Sequence, residues 1–422
     1  MEFKEMYLID CVNDIIDYRG KTPKKLKDNW SEDGDYRAIS AKNIKNMNLV
    51  NQNSMNKAKA SLYKKWMKKE IDKGDILLTS EAPLGETLYW DFEEKIILSQ
   101  RVFGLKVNNE IVNSKYLFAY MQTPFFKHEL FSRESGTTVT GIRRKELEKI
   151  VIKVPSMYIQ NYIGQIIYNI NYKINNNNKI IANLEELSQT LFKRWFVDFE
   201  FPDEDGNPYK SSGGEMIDSE LGDIPNRWKI GTLSDIAEIV MGQSPKSNTY
   251  NNEQVGLPLL NGASDFKNKN IQPAKYTSMP KKIGHNLDYV FGVRATIGLV
   301  TELDNDYAIG RGAGICKSNK ETREFIYEVL NRAFKYFERI GSGSVYINIS
   351  SKDLKQFKLI IPSKQALMEY HYHLEPIFSE IRNLKKQVKL LINMRDSLLP
   401  KLMSGEIKIP DDIEVNTDEL SI

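Results

Sequence analysis

The sequence predicts an α+β protein: two similar mixed-sheet units separated by an antiparallel two-helix coiled coil. Three observations carry this expectation. The chain has 422 residues, too many for one ordinary core. Its second half repeats its first, and each half ends in a long run of helical heptads.

The repeat is clearest where each half closes. Ser135-Gly136-Thr137, Ile142, Leu147, Ile152, Val154, Pro155 and Ser156 form one series. Ser342-Gly343-Ser344, Ile349, Leu354, Leu359, Ile361, Pro362 and Ser363 form the other, at a constant offset of 207 positions. Each copy reads as a glycine-containing loop, a short helix, a strand and a Pro-Ser stop. Upstream the match continues at drifting offsets, as loops of unequal length require. Asp75–Gly85 lies against Asp288–Gly298, Arg101–Gly104 against Arg311–Gly314, and Ala41–Ile44 against Ala263–Phe266. Leu8-Ile9-Asp10 with Gly20 and Pro23 answers Leu233-Ser234-Asp235 with Gly242 and Pro245. Their common order makes the duplication. Short β-rich runs (74–80, 95–107 and 290–300) mixed with helical patches predict a twisted mixed sheet in each unit.

The heptads follow each Pro-Ser. Ile163, Ile167, Ile170, Ile174, Asn177, Ile181, Leu184, Ser188, Leu191 and Trp195 alternate spacings of four and three. Tyr370, Leu374, Ile377, Ile381, Leu384, Val388, Leu391, Arg395, Leu398 and Leu402 do so at the same offset. This is a coiled-coil period. A helix of about 40 residues is about 60 Å long, too long to bury its stripe in one small domain, so each helix needs the other. A duplicated chain imitates a two-fold dimer. The helices then run antiparallel, with the Ile163 end of one near the Leu402 end of the other and both units facing one side. Polar Asn177, Ser188 and Arg395 on the seam either fix register and direction or hold a trapped solvent network. The expected organisation is 1–155 first unit, 156–198 central helix, 199–228 polar linker, 229–362 second unit, 363–404 distal helix and 405–422 acidic tail.

A hydrophobic content of 41% with 27% charged residues describes a soluble globular protein. No apolar run approaches the roughly 18 residues of a membrane span, and the N-terminus lacks a signal-peptide layout. Cys11 and Cys316 stand far apart, in no metal-like spacing. All this predicts a reducing, cytoplasmic setting and no membrane. The net charge of +3 says little, but Lys57, Lys59, Lys64, Lys65, Lys68, Lys69 and Lys73 crowd around Trp66. That crowding is either a field for a phosphate backbone or a solvated lysine face.

Several stretches carry a family resemblance. Ser135–Ile142 through Val154-Pro155-Ser156 is one, and the helix ends Leu191–Phe199 and Leu398–Glu406 are others. The opening Leu221–Trp228, leading to Gly242-Gln243-Ser244-Pro245, is equally typical. Together they resemble the specificity subunits of type I restriction–modification enzymes over essentially the whole chain. The resemblance implies a non-catalytic subunit with two target recognition domains, each reading half of a split double-stranded DNA sequence. It implies an antiparallel coiled coil that sets the spacing and docks two DNA methyltransferase subunits, with two restriction/translocase subunits as further partners. No cofactor is expected in this chain. S-adenosylmethionine, and ATP with Mg2+ for restriction, belong to the partners.

Catalytic readings fare poorly. An adenine methyltransferase needs a glycine-rich cofactor loop and an Asn/Asp-Pro-Pro-Tyr/Phe segment, and the nearest approach is Asn207-Pro208-Tyr209. Gly310–Gly314 lacks the GxGxxG spacing and reads as a structural turn. Gly20-Lys21-Thr22 lacks the upstream glycine of a phosphate-binding loop, and His128, His285, His371 and His373 form no metal set. Asp91, Glu93 and Lys95 read as surface charges beside a strand. No catalytic or metal site is expected.

Direct readout needs paired donors and acceptors on loops placed by a rigid sheet. In the first unit these are Arg19, Lys21, Thr22, Lys42, Asn43, Ser80, Glu81, Gln100, Arg101, Thr137, Thr138, Arg143 and Arg144. In the second they are Gln243, Ser244, Lys246, Ser264, Asp265, Arg294, Arg311, Ser344, Tyr346, Asn348 and Lys352. Each has a bracing alternative, Arg101 and Arg311 included. Two rival readings stay open: a stand-alone bipartite DNA-binding regulator, and a coiled-coil scaffold whose globular ends bind proteins.

Overall fold

A computed structural model describes residues 2–136, 140–293, 299–340 and 349–409. Two helices dominate it, Met157–Phe196 and Lys364–Ser404. The chain divides into two compact units, and both draw on both helices. The first comprises residues 1–178 and 386–422, the second residues 179–385.

Each unit is closed by the same two-stranded pairing. Lys4–Tyr7 runs antiparallel to Val151–Val154, with Lys4 opposite Val154. Lys229–Thr232 runs antiparallel to Lys358–Ile361, with Lys229 opposite Ile361. The closing strands stand at the 207-residue offset of the sequence repeat. A short 3-10 turn follows each opening strand, at Leu8–Cys11 and Leu233–Asp235.

In the first unit a four-stranded antiparallel sheet is ordered Val12–Asp17, Val102–Val107, Ile76–Ser80, Leu84–Tyr89. Successive side chains of a strand face opposite ways, and Ile76–Ser80 is buried on both faces. Ile76 and Leu78 enter a core with Ile15, Phe103, Leu105 and the helix residues Ile163, Ile167, Leu399, Leu402 and Met403. Leu77 enters a separate core with Ile16, Trp66, Trp90 and Ile97. The second unit repeats this division. Tyr289 and Phe291 join the helix-side core with Phe192, Phe196, Phe325 and Tyr370, while Val290 joins Leu260, Phe266 and Ile309.

The two sheets differ in how their central strand is built. In the second unit a single strand, Tyr307–Ser318, pairs parallel with Leu257–Gly262 near its start and antiparallel with Ala237–Met241 and Tyr289–Gly292 further on. In the first unit the same job is split. Ile97–Leu98 lies parallel to Tyr36–Ile39, and Val102–Val107 takes the antiparallel partners. The break falls at Gln100–Arg101, where Arg101 is left-handed at φ +63°. Gly310–Gly314, expected as a turn, therefore lies within a continuous strand. Its glycines answer crowding: a Cβ on Gly310 or Gly312 would fall 2.3 Å from Asn261.

The helices run antiparallel within each unit. In the first, Arg395 Nη1 donates to Asn171 Oδ1 at 3.1 Å and Asn177 Nδ2 donates to Gln387 Oε1 at 3.2 Å. Partner numbers fall as helix numbers rise. In the second, Glu185 lies beside Lys385 at 3.7 Å, and Phe192 and Trp195 pack on Tyr370. Asn177 and Arg395 thus make specific polar contacts across the pair. Ser188 instead donates its hydroxyl to Glu328 Oε1 at 2.9 Å, on the helix Arg323–Ile340. Of the expected seam residues, Ile163, Ile167, Ile174, Asn177, Ser188, Trp195, Tyr370, Leu374, Ile381, Leu384 and Leu402 are buried. Ile170, Ile181, Leu184, Leu191, Ile377, Val388, Leu391 and Leu398 are half-buried.

Residues 199–228, expected as a polar linker, carry four side chains into the second unit's core: Phe199, Phe201, Ile224 and Trp228. Phe201 stacks on Trp228 at 4.8 Å and on Tyr209 at 4.6 Å. Both cysteines are buried, and burial, with help from Asp10, pushes the Cys11 thiol up to about 11. Among the described residues no helix is long and apolar enough to cross a membrane.

Glu328 is 3% exposed, and burial raises its carboxyl from an ordinary 4.5 to about 7. The folded chain therefore holds this proton more tightly than the unfolded one. Its contribution is most favourable below pH 4.5, falls as pH rises toward 7, and levels off above that. Replacing Glu328 by Gln should flatten this slope and stabilise the protein at pH 8 by about 2–3 kcal/mol. Denaturant melts at pH 5 and pH 8 will read it. The helix packing makes a second prediction. A fragment of residues 1–205 loses Leu399, Leu402 and Met403, each worth about 1.5–3 kcal/mol of burial. It should dimerise through Ile170, Ile174 and Ile181, and charges at Ile170 and Ile181 should abolish the dimer. Sedimentation at micromolar concentration measures this, and a monomeric fragment would count against the claimed two-fold.

Candidate nucleic-acid interface

The first-unit loops converge beside the break in the sheet. Ser80 is buried, its amide donating to the Arg101 carbonyl and its carbonyl accepting from Ile142. The Gln100 carbonyl accepts from Ala41. The turn at Gln100–Arg101 is thereby tied to both neighbouring loops while its side chains stay exposed. Arg101 Nε sits 3.0 Å from Glu81 Oε1, and the guanidinium is about half exposed. Such a pair is worth about 0–1 kcal/mol, so Arg101 can leave Glu81 at little cost.

Lys21, Thr22, Lys42, Gln100 and Arg101 share a cavity of about 300 Å³. Its wall also holds Trp30, Ser40, Asn56, Trp66 and Ser99, none of which the sequence singled out as a reader. The available signal was Trp30, a large aromatic in an otherwise lysine-, aspartate- and serine-rich loop.

Other candidates are committed to the fold. Arg19 gives Nε and Nη2 to the Asp17 carboxylate at 2.8 and 2.7 Å and Nη1 to the Ile142 carbonyl, and its guanidinium lies 4.1 Å over Phe103. Arg144 donates to the Ile15 carbonyl and to Glu148, both at 2.8 Å. Asn43 is fully buried, its Oδ1 accepting from Ser40 N and Oγ and its Nδ2 donating to Val50. Arg143 is exposed at the start of the short helix Arg144–Leu147.

The lysine-rich stretch is less of a field than its composition suggests. Lys59, Lys65, Lys69 and Lys73 each meet a carboxylate: Asp33, Asp28, Asp14, and Glu93 with Asp91. Lys95 meets Glu70.

The second unit assembles corresponding loops. The Arg311 amide donates to Ser244 Oγ at 3.4 Å, and the Gln243 amide donates to the Ile309 carbonyl at 3.0 Å. Asp265 is occupied in its own turn, accepting from the amides of Asn261 and Gly262. Gln243, Lys246, Ser264, Arg311 and Lys352 are exposed. Thr137, Thr138, Arg294, Ser344, Tyr346 and Asn348 lie outside the described residues.

Residues 9–186 and 225–390 match the model of the type I restriction modification DNA specificity domain. The chain belongs to that family. The two matched segments fall one in each half, as the duplication requires. A similar protein is the type I restriction enzyme MjaIX specificity subunit of Methanocaldococcus jannaschii. It is 26% identical over 93% of this chain and 91% of its own. The HindI specificity subunit of Haemophilus influenzae is 25% identical over 81% of this chain and 88% of its own. In fold, the chain is similar to the crystal structure of a type I restriction–modification S subunit from M. genitalium. That TM-score is 0.61 at 15% identity, covering 98% of this chain and 97% of the other.

Arg101 and Arg19 make opposite predictions. Arg101→Ala should leave thermal stability nearly unchanged and relax one position of the recognised DNA by about 1–3 kcal/mol. Arg19→Ala removes charge-assisted bonds worth about 1.5–3 kcal/mol each and should lower the melting temperature without changing which sequence is read. Melting curves and methylation of a randomised target library separate the two.

Proposed function

We propose that this chain is the non-catalytic, sequence-reading subunit of a type I restriction–modification complex. The single observation that carries the reading is the DNA specificity domain present twice, on two units closed by the same strand pairing and differing in their loops. Each unit reads one half of a split double-stranded target, using exposed side chains of its converging loops. Base-edge contacts there specify, while backbone contacts position. The paired helices dock two methyltransferase subunits, which bring S-adenosylmethionine. Restriction/translocase subunits, where present, bring ATP and Mg2+. The complex acts in the cytoplasm. Half-site centres about one helical turn apart, roughly 34 Å, are the simplest spacing.

Two measurements test this. Methylation-sensitive sequencing of cells with and without the chain should reveal one bipartite motif that depends on it. Exchanging residues 229–362 for those of another family member should then alter one half of that motif, and a change in both halves would contradict modular reading. The chain alone should neither bind S-adenosylmethionine in a calorimeter nor methylate DNA. Binding of the cofactor would overturn the non-catalytic assignment.

A further inference from the structure

The cavity between the first-unit loops has a composition that groove reading does not require. Its volume is about 300 Å³. That is room for one flat heterocycle and part of its sugar. Beneath the cavity lies Trp66, 1% exposed and fixed by Nε1 donating to the Leu98 carbonyl at 3.0 Å. Half-buried Trp30 leans on it with ring centroids 5.4 Å apart. The wall is polar through Asn56 and Ser99, and the rim is cationic through Lys21 and Lys42. Lys21 is held over the Tyr18 ring, with Nζ on the Trp66 carbonyl at 2.5 Å.

A side chain that reads base edges in a groove needs to project outward. A concavity with half-buried Trp30 beside polar walls instead suits a base removed from its stack, read along its edge and held face-on. Burial and the neighbouring Lys68 disfavour the charge on Lys21. An arriving phosphate would relieve that cost.

We propose that this cavity receives a single nucleotide turned out of the first half-site, its base against Trp30 and its phosphate against Lys21 and Lys42. The inference rests on the DNA-reading function proposed above. It concerns a nucleotide other than the one methylated, which belongs to the partner subunits. The same chemistry would also fit a free mononucleotide, so the test separates the two sources.

The full chain, reconstituted with its modification subunits, is titrated with duplexes carrying its methylated motif. Each base pair of the first half-site except the methylated one is replaced in turn by a mismatch, and then by an abasic tetrahydrofuran. At the extruded position the mismatch should tighten binding, because the pairing energy is no longer lost. A base read in the groove gives the opposite sign. At that same position the abasic analogue should weaken binding by roughly five- to a hundred-fold, the range of base–aromatic stacking. Trp30→Ala should weaken binding of the intact duplex by a similar factor and of the abasic duplex hardly at all. Trp30→Phe should restore it, and methylation specificity at the second half-site should persist in both variants, which excludes misfolding. Mismatches that weaken binding at every position, or additive effects of Trp30→Ala and the abasic site, would overturn the proposal. So would micromolar binding of dAMP, dCMP, dGMP or TMP to the chain, followed by tryptophan fluorescence, with no mismatch-preferring position. A complex that methylates no specific sequence would instead defeat the DNA-reading function itself.

Discussion

A long amphipathic helix cannot hide its own apolar stripe, and the organisation of this protein follows from that constraint. The two helices pair, leaving the middle of the stripe partly covered, and the antiparallel direction sends each helix end into the opposite half's core. Leu399, Leu402 and Met403, near the end of the second helix, pack with Ile152 and Leu147 of the first unit. Phe192, Trp195 and Phe196, near the end of the first, pack with Trp228, Phe325 and Tyr370 of the second. Neither core is built from a continuous stretch of chain. Polar contacts on the seam supply direction where apolar packing is indifferent to it. Asn171 Oδ1 meets Arg395, and Asn177 meets Gln387, in the observed antiparallel register.

On this shared frame the two units differ where strands give way to loops. The central strand is continuous through Arg311 in one unit and interrupted at Arg101 in the other. The interruption turns the Gln100–Arg101 side chains out beside the Trp30 loop and opens a cavity there. The continuous version instead packs its glycines against Asn261. Two copies of one architecture thus offer different chemistry at equivalent places, as two dissimilar half-sites would demand. The frame tolerates this because the loops contribute little to either core.

Much of this was legible in the sequence. The closing strands, the short helices before them and the heptads keep a fixed spacing because they are core, where insertions are costly. The antiparallel helix pair followed from the duplication and from helix length alone. What escaped depended on contacts distant in sequence. Nothing local reveals that Arg19 is spent on Asp17 and the Ile142 carbonyl, or that four lysines around Trp66 find carboxylates. Asn43 reads as a polar loop residue until its bonds to Ser40 and Val50 bury it. The polar composition of 199–228 hid four apolar anchors, since their spacing follows an irregular path rather than a helix or strand period. Trp30 was overlooked because a lone aromatic has no period to betray it.

The exchange of helix ends also dictates an order of events during synthesis. The first unit leaves the ribosome before the second, yet its core lacks residues 386–409 until the second unit has been made. At about 5–20 residues per second, the intervening stretch takes on the order of 10–40 s to make. Through that interval the nascent first unit carries an open apolar face, vulnerable to chaperones and to neighbouring nascent copies on the same message. The half translated first is thus the last to be completed, and a premature stop anywhere in the second half leaves the first half unfinished as well.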